Sequence, residues 1–271
     1  MSGSAAAANA VTVEQISKTF GGGRTLLLRP RHEVRAVRDV SLVLAEGETL
    51  AVVGESGSGK STLARMLVGL ERPSAGRMRI AGRDWNDLHA EGPRAFGRAI
   101  QYVFQDPVAS LNPRKTIAQI LDAPLRLLCG YAPEKRRARM RELLDAVQIP
   151  ADSLQRYPHE FSGGQAQRIA IARALAAESR ILVLDEPVSA LDVSVQAQVL
   201  VLLDDLRRAF GLTYLFISHD LAVVEALADR VAVMYLGEIV EEGPTEAIFA
   251  SPRNDYTRQL IASAPRLRNA A

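Results

Sequence analysis

Residue patterning predicts an α/β fold in which a parallel sheet is interrupted by an inserted helical lobe and preceded by a β lobe. Three observations carry this. Short apolar runs of strand type recur at residues 49–53, 181–184, 213–217 and 231–234, the mark of strands buried on both faces. Helical segments separate them, as strand–helix–strand units of a parallel sheet require. Between the first two runs, residues 106–177 read instead as helices broken by prolines.

The elements follow in order. Residues 1–10 are small and polar, without the basic flank and apolar core of a signal peptide, and are expected to form a disordered tail. Strands are expected at 11–16 and 40–44, with residues 21–35 as a long Gly/Arg-rich loop. After the strand 49–53 a helix is expected over 62–70, a turn at 73–76 and a strand at 77–80. Helices are expected over 116–128, 133–147 and 165–177. A further helix over 193–210 is framed by Asp192 as N-cap and Gly211 as terminator. Gly237 marks a hairpin turn before a last short strand at 239–242.

With 271 residues, 48% hydrophobic and 24% charged, the chain suits a globular domain with a sizeable core. No apolar run approaches the ~18 residues that span a bilayer. A net charge of +2 argues against a nucleic-acid partner. The densest basic run, residues 135–141, reads as the wet face of a helix whose Met140, Leu143, Leu144 and Val147 point inward. The lone Cys129 cannot form an internal disulfide, which suits a reducing compartment.

The chemistry is densest at Gly54-Glu55-Ser56-Gly57-Ser58-Gly59-Lys60-Ser61-Thr62. A glycine-rich loop between a buried strand and a helix aims backbone N–H groups and the positive helix end at one point, which suits a phosphate. In such a loop Lys60 would reach the β- and γ-phosphates and the Ser61 hydroxyl would ligate Mg²⁺. At the end of the run 181–184 stand Asp185 and Glu186. Asp185 is placed to hold Mg²⁺, and Glu186, facing the other way along the pleat, to take a proton from an attacking water. Ser162-Gly163-Gly164-Gln165 opens another helix and makes a second anion site. Two phosphate devices with one carboxylate pair suggest that the second serves a nucleotide held by another subunit.

Together these motifs resemble the ATP-binding subunit of an ABC transporter, over about residues 11–246. The resemblance implies a phosphate-loop (RecA-like) ATPase core with an N-terminal antiparallel β lobe and an inserted α-helical lobe, binding ATP and Mg²⁺. It implies that residues 54–62 are the Walker A loop, Gln105 the Q-loop glutamine that contacts Mg²⁺, and Ser162 to Gln165 the signature that caps a partner's ATP. Phe161 stands where leucine is commoner. Asp185 and Glu186 match the Walker B aspartate and the catalytic glutamate. Asp192 lies in the D-loop, His219 is the switch histidine, and Phe20 is the aromatic for adenine, where the family usually has tyrosine. His32, His89 and His159 have no such context.

Residues 105–114 and 159–165 are similar to those of peptide and nickel importers, although Ala166 replaces a usual arginine. Residues 247–271 resemble the C-terminal extension of that group, with Asn254-Asp255 in place of its usual His-Pro. The implied partners are two integral membrane permease subunits, a second ABC ATPase subunit (a related chain or another copy) and, through the permeases, an extracytoplasmic solute-binding protein. The implied role is import of di- or oligopeptides, or of nickel or another small solute, from the cytoplasmic face of the membrane. The rivals are a soluble non-transport ABC ATPase and a nucleotide-binding subunit that does not hydrolyse.

Overall fold

The computed structural model describes residues 8–21 and 33–263. Two long strands, β1 (Asn9–Phe20) and β2 (Val34–Ala45), open the chain. β3 (Thr49–Val53) then runs into α1 (Lys60–Leu67), and β4 (Ala75–Ile80) and β5 (Arg83–Asp84) follow. The short helices α2 (Trp85–Glu91) and α3 (Pro93–Ala99) lead to β6 (Gln101–Val103). A helical stretch comes next: α4 (Pro107–Ser110), α5 (Ile117–Leu127), α6 (Pro133–Ala146) and α7 (Gly163–Leu175). Strand and helix then alternate through β7 (Ile181–Asp185), α8 (Val193–Phe210), β8 (Thr213–Ser218), α9 (Leu221–Leu227) and β9 (Arg230–Tyr235). β10 (Glu238–Pro244), α10 (Thr245–Ala250) and α11 (Asp255–Ser263) complete the described chain.

The strands form two sheets. One is antiparallel, in the order β2-β1-β4-β5; the other has six strands in the order β10-β9-β3-β8-β7-β6. In the larger sheet all neighbours are parallel except the β9–β10 hairpin. Alternate residues of β3 separate two cores. Ala51 and Val53 face one with Leu184, Phe216 and the helices α5 to α9, while Leu50 and Val52 face the other with β1, β2 and α1. Burial on both faces is why these strands are continuous apolar runs rather than alternating ones.

Local chemistry explains the helix ends. Thr116 and Gln119 form a reciprocal capping box at the start of α5, Asp192 caps α8 through the Val195 N–H, and Gly211 ends α8 in a left-handed conformation. Met140, Leu143, Leu144 and Val147 are all buried in the helical core. Leu143→Ala there would cost about 2–5 kcal/mol.

Several sequence expectations shift. Asn9 and Ala10 belong to β1 rather than to a tail, and residues 1–7 lie outside the described residues. Val34 and Arg35 belong to β2; residues 22–32 of the expected loop, with His32, also lie outside the described residues. The helix expected over 62–70 is α1, which begins at Lys60 and ends at Leu67; Leu70 is exposed. Glycines 57 and 59 fold the loop tightly enough for Lys60 to start the helix, and Gly69 with φ 75° cannot continue it. The pair α2–α3 was not foreseen. Trp85 anchors it, buried, with its indole N–H donating to the Met66 carbonyl at the end of α1.

Candidate nucleotide-binding site

The carboxyl ends of β3, β6, β7 and β8 share one edge of the large sheet because these four strands run parallel. The loop 54–59 leaves β3 at that edge and enters α1 at Lys60. Gly54 (φ 150°) and Gly59 (φ 109°) are required there. A Cβ at Gly54 would lie 2.1 Å from the Met234 carbonyl oxygen, and one at Gly59 would lie 2.2 Å from that of Ala36. From the β9–β10 turn, the Gly237 N–H donates to the Ser58 carbonyl at 2.9 Å and pins the loop.

Lys60 is buried, and its Nζ donates to the carbonyls of Gly54 (2.7 Å) and Glu55 (2.8 Å) and more distantly to Ser58 Oγ (3.4 Å). Burial lowers the Lys60 pKa, while the carboxylates of Glu186, Asp185 and Glu55 oppose that shift. The Ser61 hydroxyl donates to Asp185 Oδ1 at 3.2 Å, and the Tyr102 hydroxyl donates to Asp185 Oδ2. Burial first, and then the neighbouring Asp185, raise the Tyr102 pKa, so Tyr102 stays a donor.

Glu186 sits one residue beyond β7 with φ 48°, so a left-handed backbone rather than the strand pleat aims its side chain. That corrects the expectation of simple alternation with Asp185. The Glu186 N–H is held by the Ile217 carbonyl of β8 at 2.9 Å. Gln105 Nε2 donates to Glu186 Oε2 at 2.7 Å, and His219 Nδ1 lies 3.0 Å from Glu186 Oε1. A non-glycine residue held at positive φ between two side-chain partners is the kind of local strain that gathers at functional sites.

An open cavity of about 760 Å³ collects Ser56, Gly57, Gly59, Lys60, Ser61, Thr62, Gln105, Glu186 and His219 on its walls. Arg35, Arg38 and Leu236 line it too, and nothing in the sequence pattern singled them out. Gly54, Ser58 and Asp185 are buried beside the wall and Glu55 is exposed next to it; they hold it by the bonds given above. Oxygen donors from Ser61, Asp185 and Gln105 fit a Mg²⁺ ion that takes the rest of its shell from phosphate and water.

Other expected site residues lie apart. Phe20 ends β1, is 37% exposed with Lys18 Nζ 4.8 Å over its ring, and does not line the cavity. Ser162, Gly163, Gly164 and Gln165 also stand outside it. Ser162 and Gln165 form a reciprocal capping box that opens α7. Asp192 is exposed as the cap of α8, its carboxyl held below the usual range by hydrogen bonds from Ser194 and the Val195 N–H. His89 stacks on Trp85 and His159 on Tyr157. Tyr102 is a further residue of this candidate site that sequence reasoning missed, since its partner lies 83 residues away.

Known proteins resemble this chain in sequence and fold. The family model described as ABC transporter matches residues 37–189. The dipeptide transport ATP-binding protein DppF of Haemophilus influenzae is 48% identical over 252 residues, 93% of this chain and 77% of that protein. The oligopeptide transport ATP-binding protein OppD of Mycobacterium bovis is 49% identical over 94% of this chain, which spans only 42% of that protein's length. The glutathione import ATP-binding protein GsiA of Escherichia coli O157:H7 is 52% identical over 89% of this chain and 38% of that protein. Among solved structures, a dimeric post-hydrolysis state of the ATP-binding cassette MJ0796 bound to ADP and Pi has a TM-score of 0.75 at 31% identity, covering 87% of this chain and 98% of that one. The structure of cbiO1 from Clostridium perfringens, part of the ABC transporter complex cbiONQ, has a TM-score of 0.77 at 27% identity, covering 90% of this chain and 91% of that one. The family match spans more than half of the chain and the DppF relative aligns over most of both lengths, so the chain belongs to the ABC transporter family.

Proposed function

We propose that this chain hydrolyses ATP to power import of di- or oligopeptides across the cytoplasmic membrane, working from its cytoplasmic face with two permease subunits. The observation that carries the ATPase part is the convergence of Lys60, Gln105, Glu186 and His219 on one cavity. The solute comes from the relatives' names: oligopeptide, dipeptide and glutathione, itself a small peptide. Those names favour a transport subunit over a soluble ATPase of another class. Among the described residues no helix is long and apolar enough to cross a membrane, so the membrane path would belong to the permeases.

In the proposed mechanism the loop amides of residues 57–62 and the start of α1 receive the phosphates, with Lys60 turning from the carbonyls of Gly54 and Glu55 toward them. Ser61, Asp185 and Gln105 would hold Mg²⁺, which offsets phosphate charge. Glu186, fixed by Gln105 and His219, orients a water and takes its proton, and His219 steadies the γ-phosphate. Ser162 and Gly164 stand apart from the chain's own cavity, which supports their use on a nucleotide held by a second ATPase subunit in a head-to-tail pair. Phe20, with Lys18 over its ring, is the proposed aromatic near adenine once the pair closes. A solute-binding protein outside the membrane would deliver the peptide to the permeases.

The test is uptake of labelled dipeptide and labelled nickel in a strain lacking this chain, with the wild-type gene restored. Dipeptide uptake that is lost and then restored supports the reading. Loss of nickel uptake alone would transfer the chain to metal import.

A further inference from the structure

The C-terminal segment reaches the phosphate loop. Glu241 of β10 accepts the Arg253 N–H at 2.7 Å and the Asn254 N–H at 3.0 Å, and Asn254 Oδ1 accepts the Tyr256 N–H at 2.9 Å. The start of α11 is thereby fastened to the sheet. Tyr256, Leu260 and Ile261 pack on the helical core, and the Tyr256 ring lies on Tyr235 with centroids 4.1 Å apart. This docking delivers the Tyr256 hydroxyl to the Glu55 N–H at 3.1 Å, across 201 residues of sequence.

The Glu55 N–H and the Gly54 carbonyl belong to one peptide plane and point in opposite directions from it. Tyr256 therefore holds one side of the plane whose other side accepts Lys60 Nζ at 2.7 Å. Gly54 has no Cβ to resist rotation, so this plane would otherwise turn at little cost. Rotation would redirect the chain entering the loop and misplace the amides of residues 57–59 that have to meet phosphate, whereas Lys60 itself leaves the Gly54 carbonyl when phosphate arrives. We propose that Tyr256 is a positioning residue for the nucleotide site, clamping the Gly54–Glu55 peptide so that the loop is pre-formed for phosphate. The C-terminal extension is then a brace on nucleotide affinity. This inference rests on the reading of Lys60 as the phosphate-binding lysine.

The experiment is titration of the full-length chain with a fluorescent N-methylanthraniloyl ATP, together with amide exchange at Glu55 and thermal melting. Tyr256→Phe keeps the ring on Tyr235 and removes only the hydroxyl. It should weaken ATP binding about fivefold, the worth of one hydrogen bond, and speed exchange at Glu55, with little change in Tm. Leu260→Ala loosens the packing of α11 without removing the hydroxyl and measures what destabilisation alone does to affinity. An unchanged Kd in Tyr256→Phe overturns the proposal, and so does an equal loss in Leu260→Ala. Lys60→Ala should abolish binding; retained binding there would overturn the lysine assignment and this inference with it, a result distinct from an inert Tyr256→Phe.

Discussion

His219 Nδ1 lies 3.0 Å from Glu186 Oε1, joining the end of β8 to the end of β7 across the rim of the cavity. The two residues are 33 apart in sequence, and the parallel register of β7 with β8 brings them together. Glu186 cannot swing freely, because Gln105 holds its other oxygen. His219→Ala would leave the carboxylate tethered on one side only, and turnover should fall on the order of 10²-fold through lost orientation. Steady-state ATPase kinetics check this, with KM for ATP expected to change far less than kcat.

Tyr102 donates to the oxygen of Asp185 that Ser61 leaves free. Tyr102→Phe removes that donor with minimal change of shape. Partners behind a metal ligand are typically worth 10–100-fold in metal affinity or activity, so the Mg²⁺ concentration for half-maximal ATPase should rise about tenfold. An unchanged Mg²⁺ requirement would remove Tyr102 from the site.

Gly59→Ala should abolish ATP binding. Its Cβ would meet the Ala36 carbonyl oxygen at 2.2 Å, and its φ of 109° is strained for any side chain. Strain of this kind costs about 1–3 kcal/mol, so Tm should fall by several degrees while the chain still folds. Nucleotide titration and melting curves measure both effects.

Docking of the C-terminal segment should depend on pH through Glu241. Burial alone would raise its carboxyl, but the adjacent Thr257 hydroxyl, the N–H groups of Arg253 and Asn254 and the Arg253 charge outweigh burial and hold it below its ordinary value of 4.5. A carboxyl lowered in the folded state contributes stability that is present above its unfolded value and lost as pH falls through the folded one. The Tm difference between wild type and Glu241→Gln should therefore be largest above about pH 4.5 and shrink below it. A difference that does not vary with pH would contradict the assignment.

The parallel strands β3, β7, β8 and β9, and helix α8, were legible in the sequence because their signals are local: apolar runs for the strands, an Asp cap and a Gly stop for α8. The three-residue β6 is too short to give such a run. The pair α2–α3 was not, since each helix spans seven residues and too few periodic positions to register. The glycine-rich loop between β3 and α1 was equally legible as a tight strand-to-helix connection, because its glycines answer a backbone demand within the loop itself. Tyr102 and Tyr256 were invisible as site residues for the opposite reason. Each acts on a partner 83 or 201 residues away, and only the folded sheet brings them within reach.

The most direct measurement compares ATP hydrolysis by wild-type chain and Glu186→Gln in the assembled transporter. Turnover should fall ~10²–10⁴-fold, the usual worth of a general base, while ATP affinity is retained. Undiminished turnover in Glu186→Gln would contradict the account, because the cavity built around Glu186 would then not be where the water is activated.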